Sequence, residues 1–359
     1  MEPYKAKKLP LEYKIDKELL RLLAEANEKY GQYKSLLNTL EFDSKFFLDS
    51  LLLNESFKST QIEGTQISQD KMYYLKYLEK NDENLEIQNL KRTIEYGYEE
   101  IYKKEGVSIN LVNQMHRILL NSVRGAEKTP GQIRTTQNWI GQRGVGIQGA
   151  IFIPPQPEDI IELLTNLYDY MNDAFIDPLL INLAISHAQF ETIHAYKDGN
   201  GRLGRALIPI QMAYLDNNKP ILYLSEIIEL YKPSYQRNLM ESRRGNLTGF
   251  IKFFLQCVID QCTMYINKLN RIKEIYKEDM KKIEVFRGKS VYKIMPVIMR
   301  QIVFTKKEVQ DESGVSVNVV SNIINKLVEM GILVKDSTVI KKGYKYESIY
   351  RVFVGSEQF

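Results

Sequence analysis

The sequence predicts a mainly α-helical protein with one small β-hairpin and a separate C-terminal module. Apolar residues recur every three to four positions over most of the 359 residues, which is the period of an amphipathic helix. Glycine and proline are concentrated in residues 125–155, where apolar and polar residues alternate instead. Basic residues outnumber acidic ones after residue 281. We therefore divide the chain into residues 1–105, 106–280 and 281–359.

The composition limits the class of protein without indicating its chemistry. With 44% hydrophobic residues the chain can bury a large core, and its formal net charge of +4 is small. No apolar run approaches the length of a membrane span, and no apolar signal-peptide core follows the first residues. We expect a cytoplasmic protein without a membrane partner.

The cysteines and two of the three histidines lack the spacing of a metal site. Cys257 and Cys262 lie five positions apart on a predicted helix, hence on different faces, and we interpret them as buried free thiols rather than a disulfide or metal site. We interpret His116 and His187 as structural residues.

The first region, residues 1–105, contains a polar arm, an amphipathic helix around residues 19–30 and further helical stretches at about 44–57 and 69–104. The second helix leads into Ser59-Thr60-Gln61-Ile62-Glu63-Gly64, in which Gly64 suits the position just past a helix end. Glu63 would then occupy the last turn, where the helix dipole favours cations. An exposed glutamate tolerates this position, whereas a functional one would need a strong cationic partner.

The middle region, residues 106–280, contains predicted helices at about 110–122, 158–172, 178–193, 202–215 and 247–282. Between the first two, the alternation at residues 138–140 and 150–153 predicts a β-hairpin over residues 138–153. On local pattern alone, an ordinary surface loop ending at Pro154-Pro155 is the alternative.

The most informative stretch is Ile193-His-Ala-Tyr-Lys-Asp-Gly-Asn-Gly-Arg-Leu-Gly-Arg205, between two predicted helices. We expect Gly199 and Gly201 to adopt positive φ values and to allow a ligand to approach the backbone. The first N–H groups of the following helix would then point at the same spot. Such an arrangement binds anions, usually phosphate.

Charged residues in this stretch fit phosphoryl chemistry. Arg202 and Arg205, three apart, can both contact phosphate oxygens, and Asp198 is a hard ligand suited to Mg²⁺. A neutral His194 could accept a proton from an attacking hydroxyl. A lone histidine at a helix end is more often structural, but the combination favours a phosphoryl-transfer site. The chain has no G-x-x-x-x-G-K-[ST] motif, which excludes a P-loop.

Residues 194–205 resemble the active-site motif of the Fic family, H-x-F-x-[DE]-G-N-G-R-x-x-R. Tyr196 is the one departure, since the family usually has phenylalanine there, and its added hydroxyl needs a polar partner. The resemblance implies a Fic-type helical core that transfers AMP from ATP to a hydroxyl of a protein, with Mg²⁺ as the metal.

The resemblance also implies a role for each matched residue. His194 would be the general base, and Asp198 would hold the Mg²⁺ that bridges the α- and β-phosphates. Arg205 would contact the γ-phosphate. The nucleotide-binding residues would be Gly199, Asn200, Gly201, Arg202, Leu203, Gly204 and Arg205. Positioning and charge stabilisation would account for the rate.

The segment at residues 59–64 resembles the family's inhibitory motif, [ST]-x-x-x-E-[GN], with Ser59, Glu63 and Gly64 at the matching positions. This resemblance implies that Glu63 pairs with Arg205, occupies the place of the γ-phosphate and inhibits the enzyme in cis. In some relatives the corresponding glutamate positions a water for removing AMP, so the reverse activity stays open.

Two further assignments depend on position relative to the motif. The predicted hairpin resembles the family's flap, whose edge can hold a target peptide by strand addition; the flap residues would be Gly149, Ala150, Ile151 and Phe152. The stretch 224–235 resembles the family's adenine and ribose pocket, with Tyr235 as the residue that contacts the base.

The last region, residues 281–359, is predicted to be a winged-helix domain. A short helix near residues 304–313 and a second over 317–330 are followed by a basic hairpin to Phe353. The region has 14 lysines and arginines against 8 acidic residues. However, the exposed side of the second helix offers Lys326 as its cation, so DNA binding ranks behind dimerisation or target docking.

Three hypotheses therefore remain. The leading one is an autoinhibited protein adenylyltransferase that also modifies itself. The second retains the fold but removes AMP or transfers another phosphate-linked group. The third is a winged-helix DNA-binding regulator whose Fic core senses nucleotide. The target protein and a possible homodimer leave no signature in the sequence.

Overall fold

The computed structural model of the chain describes residues 2–79, 81–123, 127–141, 146–338 and 342–355. The chain divides into two compact units. The first comprises Met1–Tyr30, Glu55–Gln66 and Asn81–Gln261, and the second comprises Gly31–Asn54, Ile67–Lys80 and Cys262–Phe359. These units are not consecutive in the sequence. The three-domain division remains a prediction.

The described residues are mainly α-helical, as the periodicity predicts. The helices of the first three hundred residues are α1 (Lys17–Asn38), α2 (Lys45–Ile62), α3 (Asp82–Ile101), α4 (Ile109–Leu119), α5 (Ile160–Asn172), α6 (Leu179–Ile193), α7 (Asn200–Leu215), α8 (Ser225–Leu230), α9 (Lys232–Arg243) and α10 (Leu247–Ile283). The stretch predicted as helical from residue 69 begins instead with a 3₁₀ helix, Gln69–Tyr74, before α3.

Helix α6 is the centre of the first unit. Every residue from Leu180 to Ile193 is buried, and α6 packs against α5, α7 and α9. A helix that is buried all round belongs to the core of a domain, which gives its end a fixed position. The loop predicted to bind phosphate follows the C-terminus of α6 directly.

The predicted hairpin is present but short. Strands β1 (Ile140–Gly141) and β2 (Ala150–Phe152) pair antiparallel, with Ile140 opposite Phe152 and Gly141 opposite Ala150. Gly149 ends a 3₁₀ turn just before β2. Residues 142–145 of the predicted flap lie outside the described residues.

The second unit contains a three-stranded antiparallel sheet in the order β3 (Val303–Thr305), β5 (Gly343–Lys345), β4 (Val334–Asp336). Around it lie α11 (Ser290–Gln301), α12 (Lys306–Ser313) and α13 (Val317–Glu329). Thr305 begins α12 with a capping box to Glu308, since each side chain bonds the other's backbone N–H. Residues 339–341 of the predicted wing lie outside the described residues.

The predicted hairpin to Phe353 is wrong at its end. Residues Glu347–Val354 form a helix, α14, in which Arg351 Nε donates to Glu347 Oε1 over 2.8 Å. The aromatic and β-branched residues there are typical of a strand, but the helix buries Ile349, Tyr350, Val352 and Phe353 on one face.

The structure also bears on the cysteines and on membrane-spanning helices. Cys257 and Cys262 are buried and form no disulfide, as predicted. Among the described residues, no helix is both long and apolar enough to cross a membrane.

Candidate active site

His194 ends α6 in a left-handed conformation, with φ 50° and ψ 56°. The buried guanidinium of Arg134 supports this turn, because its Nε donates to the His194 carbonyl over 3.0 Å and its Nη2 donates to the Pro155 carbonyl over 2.5 Å. The last carbonyls of a helix have no partner within it, so a buried donor at this point stabilises the end. No local sequence pattern indicates this role of Arg134, because it depends on tertiary contacts.

The loop after His194 is fixed by side chains that bond its backbone. Asn200 Oδ1 accepts from the Tyr196 N–H over 2.9 Å, and Asn200 Nδ2 donates to the Tyr196 carbonyl over 2.7 Å. The Tyr196 hydroxyl donates to Asn113 Oδ1 over 2.7 Å, so the partner that this substitution requires is present. Tyr196 is fully buried.

His116 is part of this loop's support as well as of the core. The Gly131 N–H donates to its Nδ1 over 2.8 Å, so in the neutral ring Nε2 carries the proton and donates to the Asp198 carbonyl at 2.9 Å. Burial lowers the pKa of His116 to about 4, which favours this neutral form. Its ring stacks on Tyr196 at 4.0 Å between centroids.

Gly199 and Gly201 have different structural roles in the loop. Gly199 has a φ of 78°, as predicted, and precedes α7. Gly201 lies inside α7 without a positive φ, so that part of the prediction is wrong. A Cβ at Gly201 would lie 2.5 Å from Glu63 Oε1, and its absence therefore allows the close approach of a carboxylate.

Arg202 and Arg205 are both buried on α7, each with 2% of its side chain exposed. Arg202 Nη1 lies 3.6 Å from Glu86 Oε2, and Nη2 lies 3.7 Å from Asp198 Oδ1. The Nε and Nη1 groups of Arg202 nevertheless have no hydrogen-bond partner among the described residues. Buried donors of this kind are suited to an anionic ligand.

Arg205 is bonded to the predicted inhibitory segment. Its Nε donates to Ser59 Oγ over 2.8 Å, and its Nη2 donates to the Ser59 carbonyl over 2.9 Å and to Glu63 Oε1 over 2.7 Å. Helix α2 ends at Ile62, and Gly64 follows with a φ of 99°, as a residue past a helix end does. Burial opposes the charge of Glu63, but Arg205 outweighs it and lowers the pKa of this carboxyl.

The imidazole of His194 is partly buried, and its Nδ1 has no hydrogen-bond partner among the described residues. Burial lowers the pKa of His194 to about 4, and the positive charge of Arg243 acts in the same direction. The ring is therefore neutral at physiological pH. A neutral imidazole with a free ring nitrogen can accept a proton.

Asp198 is the carboxylate available to a metal at this loop. Its side chain is 39% exposed, and its Oδ1 accepts from the Gly199 N–H over 2.6 Å. No cluster of three or more acidic, histidine or cysteine ligands occurs in the part of the chain that the structure describes. The donor set still fits Mg²⁺, because this ion commonly uses one or two carboxylates together with substrate phosphates and water.

Tyr235 lies in the interior beside this site. Its hydroxyl is 2.8 Å from His187 Nε2, while His187 Nδ1 is 3.3 Å from the Gly204 carbonyl. Because a carbonyl only accepts, Nδ1 carries the proton, and Nε2 accepts from Tyr235. Burial lowers the pKa of His187 to about 3 and keeps it neutral. His187 is thus structural, as predicted, and the contact of Tyr235 with a base remains a prediction.

The flap is joined to α6 through Arg243, a residue that the sequence analysis missed. Its guanidinium lies 4.0 Å from the ring centroid of Phe152 on β2. Arg243 also donates to the Glu191 carbonyl over 2.9 Å and to Thr192 Oγ1 over 3.3 Å. Ile151, the middle residue of β2, is 57% exposed, and in the described sheet β2 pairs with β1 on one side.

Two buried glutamates flank Arg205 and were also missed. Glu55, on α2, accepts from the Ser225 N–H over 2.9 Å and from its hydroxyl over 2.5 Å, while burial raises the pKa of Glu55 to about 7. Burial also raises the pKa of Glu191 to about 7, and its Oε1 has no hydrogen-bond partner among the described residues. For each, the available sequence signal was an acidic residue within a mostly uncharged helix.

Two protein-family models match the chain over ranges that include the loop at residues 194–205 and the segment at residues 59–64. Residues 106–212 match the Fic/DOC family and residues 20–99 match the Fic/DOC family N-terminal region, which together cover just over half of the chain. The chain belongs to the Fic/DOC family.

Curated relatives match over part of their length. The chain is 31% identical over 150 residues to protein adenylyltransferase fic-1 of Caenorhabditis elegans, which is 41% of this chain and 26% of the relative. It is 24% identical over 187 residues to protein adenylyltransferase Fic of Drosophila willistoni, which is 52% of this chain and 34% of the relative. The matches thus span a quarter to a third of these relatives.

Solved structures share the fold. A Fic family protein from Desulfovibrio desulfuricans aligns with a TM-score of 0.57 at 18% identity, over 93% of this chain and 97% of that one. A Fic domain containing signaling protein from Bacteroides thetaiotaomicron aligns with a TM-score of 0.55 at 19% identity, over 68% and 97% of the two chains.

Proposed function

We propose that this protein transfers AMP from ATP to a hydroxyl side chain of a protein. The observation that carries the proposal is the convergence, around the start of α7, of a neutral His194, the carboxylate of Asp198 and two buried arginines. These groups supply a base, a metal ligand and stabilisation of phosphate charge. The relatives' names, protein adenylyltransferase, support the same activity.

The proposed reaction is a displacement at the α-phosphorus of ATP. His194 accepts the proton of the target hydroxyl, whose oxygen forms a bond to the α-phosphorus. The bond from this phosphorus to the bridging oxygen breaks, and pyrophosphate leaves. Arg202 offers buried, unpartnered N–H donors to the phosphate oxygens. Mg²⁺, when bound by Asp198, would neutralise charge on the phosphates.

We propose further that Glu63 inhibits this reaction. Its Oε1 takes a donor of Arg205 and lies above Gly201, where a phosphate would otherwise bind the start of α7. Two anions cannot share this position, so ATP must displace the Glu63 carboxylate or bind unproductively. Removal of the carboxylate would release Arg205 for the γ-phosphate.

The test is transfer of radiolabel from the α-phosphate of ATP, in Mg²⁺, onto the protein itself and onto a cell lysate. We expect strong labelling by Glu63→Gly, weak labelling by the wild type and none by Glu63→Gly combined with His194→Ala. Gln61→Gly is the matched control, since it places glycine two positions away, in the last turn of α2, and removes no contact to Arg205. Absence of labelling by Glu63→Gly would contradict the proposal.

Removal of AMP by the same site is the alternative enzyme function. In this alternative, the intact Glu63 would position the water that attacks the AMP group, close to His194. A wild-type protein that releases AMP from a previously labelled target, while Glu63→Gly does not, would favour removal over transfer as the resting activity.

A second candidate function is DNA binding by the second unit, because its sheet and helices form a lysine-rich cavity. The cavity has a volume of about 650 Å³ and is lined by Lys306, Lys307, Lys335 and Lys342, among others. Lys306 Nζ donates to Ser321 Oγ over 2.8 Å and to Asn325 Oδ1 over 3.0 Å, so the exposed side of α13 adjoins the cavity. The helix and strand order supports a winged helix with a wing between β4 and β5.

This candidate is tested by fluorescence anisotropy with duplex DNA at several salt concentrations. Lysines that contact phosphates should give a linear fall of log affinity with log salt, and Lys335→Glu with Lys342→Glu should abolish binding. His194→Ala should bind as the wild type does. Unchanged binding in the double lysine variant, or none in the wild type at low salt, would contradict DNA recognition by this surface.

A further inference from the structure

The Glu191 carboxyl is a buried acidic group of the first unit's site to which the proposed reaction gives no role. Glu191 lies on α6, one turn before His194, and is 6% exposed. Its Oε1 is buried without a hydrogen-bond partner among the described residues. Two other residues near the start of α7 have buried polar atoms without a partner, His194 (Nδ1) and Arg202 (Nε and Nη1), and both have roles toward substrate in the proposed function.

The surroundings of Glu191 belong to the phosphate site. A side chain at Gly204 on α7 would overlap Glu191 Oε1, so the absence of a Cβ there makes room for the carboxyl. Glycine inside a helix is less favourable than alanine, so the room for the carboxyl lowers the intrinsic stability of α7. Arg205, Glu63 and Arg243 are the charged groups that act on Glu191.

The two nearby arginines do not satisfy the Glu191 carboxyl with hydrogen bonds. Arg205 directs its hydrogen bonds to Ser59 and Glu63, while Arg243 bonds the carbonyl of Glu191 and the hydroxyl of Thr192. Among the described residues, neither guanidinium donates to the Glu191 carboxyl. A buried acceptor without a donor is costly, and one beside a ligand site is suited to a donor on the ligand.

The chemistry of ATP decides which donor this is. An unprotonated oxygen of Glu191 repels the oxygens of the triphosphate, which the arginines and the start of α7 can bind instead. The N–H and O–H groups that ATP retains at neutral pH are the amino group of adenine and the two hydroxyls of ribose. We propose that Glu191 is a specificity-determining residue that recognises the nucleoside of the donor by accepting a hydrogen bond from one of these groups. This inference rests on nucleotide binding at the proposed site.

The test is a binding measurement, which does not depend on catalysis. Isothermal titration of the Glu63→Gly protein would compare ATP with inosine triphosphate, 2′-deoxy-ATP and 3′-deoxy-ATP, each of which lacks one donor. Inorganic triphosphate serves as a ligand without a nucleoside. We expect one analogue to bind about tenfold or more weakly than ATP, because it leaves the buried acceptor unpaired. The identity of that analogue distinguishes the base from each ribose hydroxyl.

Glu191→Ala in the same background should bind ATP and that analogue equally, with unchanged affinity for inorganic triphosphate. Glu191→Gln retains a carbonyl acceptor and should keep most of the preference. Glu191→Met has nearly the same shape but only a weak acceptor, so it should lose the preference and replaces Glu191→Ala if that variant fails to fold. A merely structural Glu191 would leave the ATP-to-analogue ratio unchanged.

Three outcomes would overturn the inference: equal binding of all the nucleotides by the Glu63→Gly protein, an unaltered ratio in Glu191→Ala, or no ATP binding at all. The last outcome would also contradict the proposed AMP transfer. Absence of AMP transfer with the expected nucleotide preference would contradict the transfer alone and leave the role of Glu191 intact.

Discussion

The loop over residues 194–205 and the flap over residues 138–153 differ in how firmly the fold positions them. In the loop, Tyr196 is fully buried, Asn200 bonds its backbone in both directions, and Arg134 bonds the carbonyl of His194. In the flap, β1 and β2 contain two and three residues, and Ile151 is 57% exposed. We propose on this basis that a preorganised reacting centre lies beside a recognition edge that a target completes.

The largest effect is expected for Arg134→Ala. This change removes the Arg134 donors from the carbonyls of His194 and Pro155 and leaves the His194 carbonyl the longer 3.4 Å bond from Asn138 Nδ2. It should lower the free energy of unfolding by about 3 kcal/mol. Displacement of His194 should lower the rate of AMP transfer by about 100-fold in a Glu63→Gly background. Chemical denaturation and initial rates measure the two effects. Wild-type rates in a folded Arg134→Ala protein would show that the loop is positioned by other contacts.

A smaller effect is expected for Asn200→Ala, which removes both hydrogen bonds to the Tyr196 backbone. We expect a loss of about 2 kcal/mol in stability and a rate lowered about tenfold, because the turn before α7 is then less ordered. Asn200→Asp retains the acceptor, so its stability and rate should lie between those of the wild type and Asn200→Ala. If Asn200→Ala lost stability but not rate, the order of this turn would be irrelevant to transfer.

Tyr196→Phe tests the loop at its most tolerant position. The change removes the hydrogen bond to Asn113 and should cost about 1 kcal/mol of stability. The rate should stay within about twofold of the parent, since the hydroxyl points into the core rather than at the phosphate site. A large loss of rate at unchanged stability would assign the hydroxyl a direct role.

In the flap, by contrast with the loop, a substitution should leave stability unchanged and affect the labelling of protein targets. Ile151→Ala should change the free energy of unfolding by less than about 0.5 kcal/mol, because the side chain is exposed. ATP affinity should be unchanged, whereas labelling of protein targets should fall severalfold. Ile161→Ala on α5, where isoleucine is 52% exposed, is the matched control and should label targets normally. Equal labelling by both variants would contradict target contact through β2.

The difference between these regions also explains what the sequence could predict. The ends of α6 and α7, the φ of Gly199 and the helix end at Gly64 follow from local pattern, because glycine and helix termini obey local rules. Gly201 was assigned a positive φ, but its role is close approach within a helix.

The residues that support the loop and the flap act through contacts distant in sequence. Arg134 bonds residues near 194, His116 bonds the carbonyl of Asp198, and Arg243 joins β2 to α6. No periodicity or spacing in one sequence encodes such pairs. The same reason applies to α14, where packing of an apolar face prevails over the strand propensity of its residues.

The ion pair between Glu63 and Arg205 is the most direct point at which to test this account. The measurement is the initial rate of AMP transfer by the wild type, Glu63→Gln and Glu63→Gly at one ATP concentration. Glutamine retains the shape of Glu63 but not its charge. The rate should therefore be highest for Glu63→Gly, lower for Glu63→Gln and lowest for the wild type, with at least about a tenfold difference between the first and the last. Equal rates in all three proteins would contradict inhibition by the carboxylate.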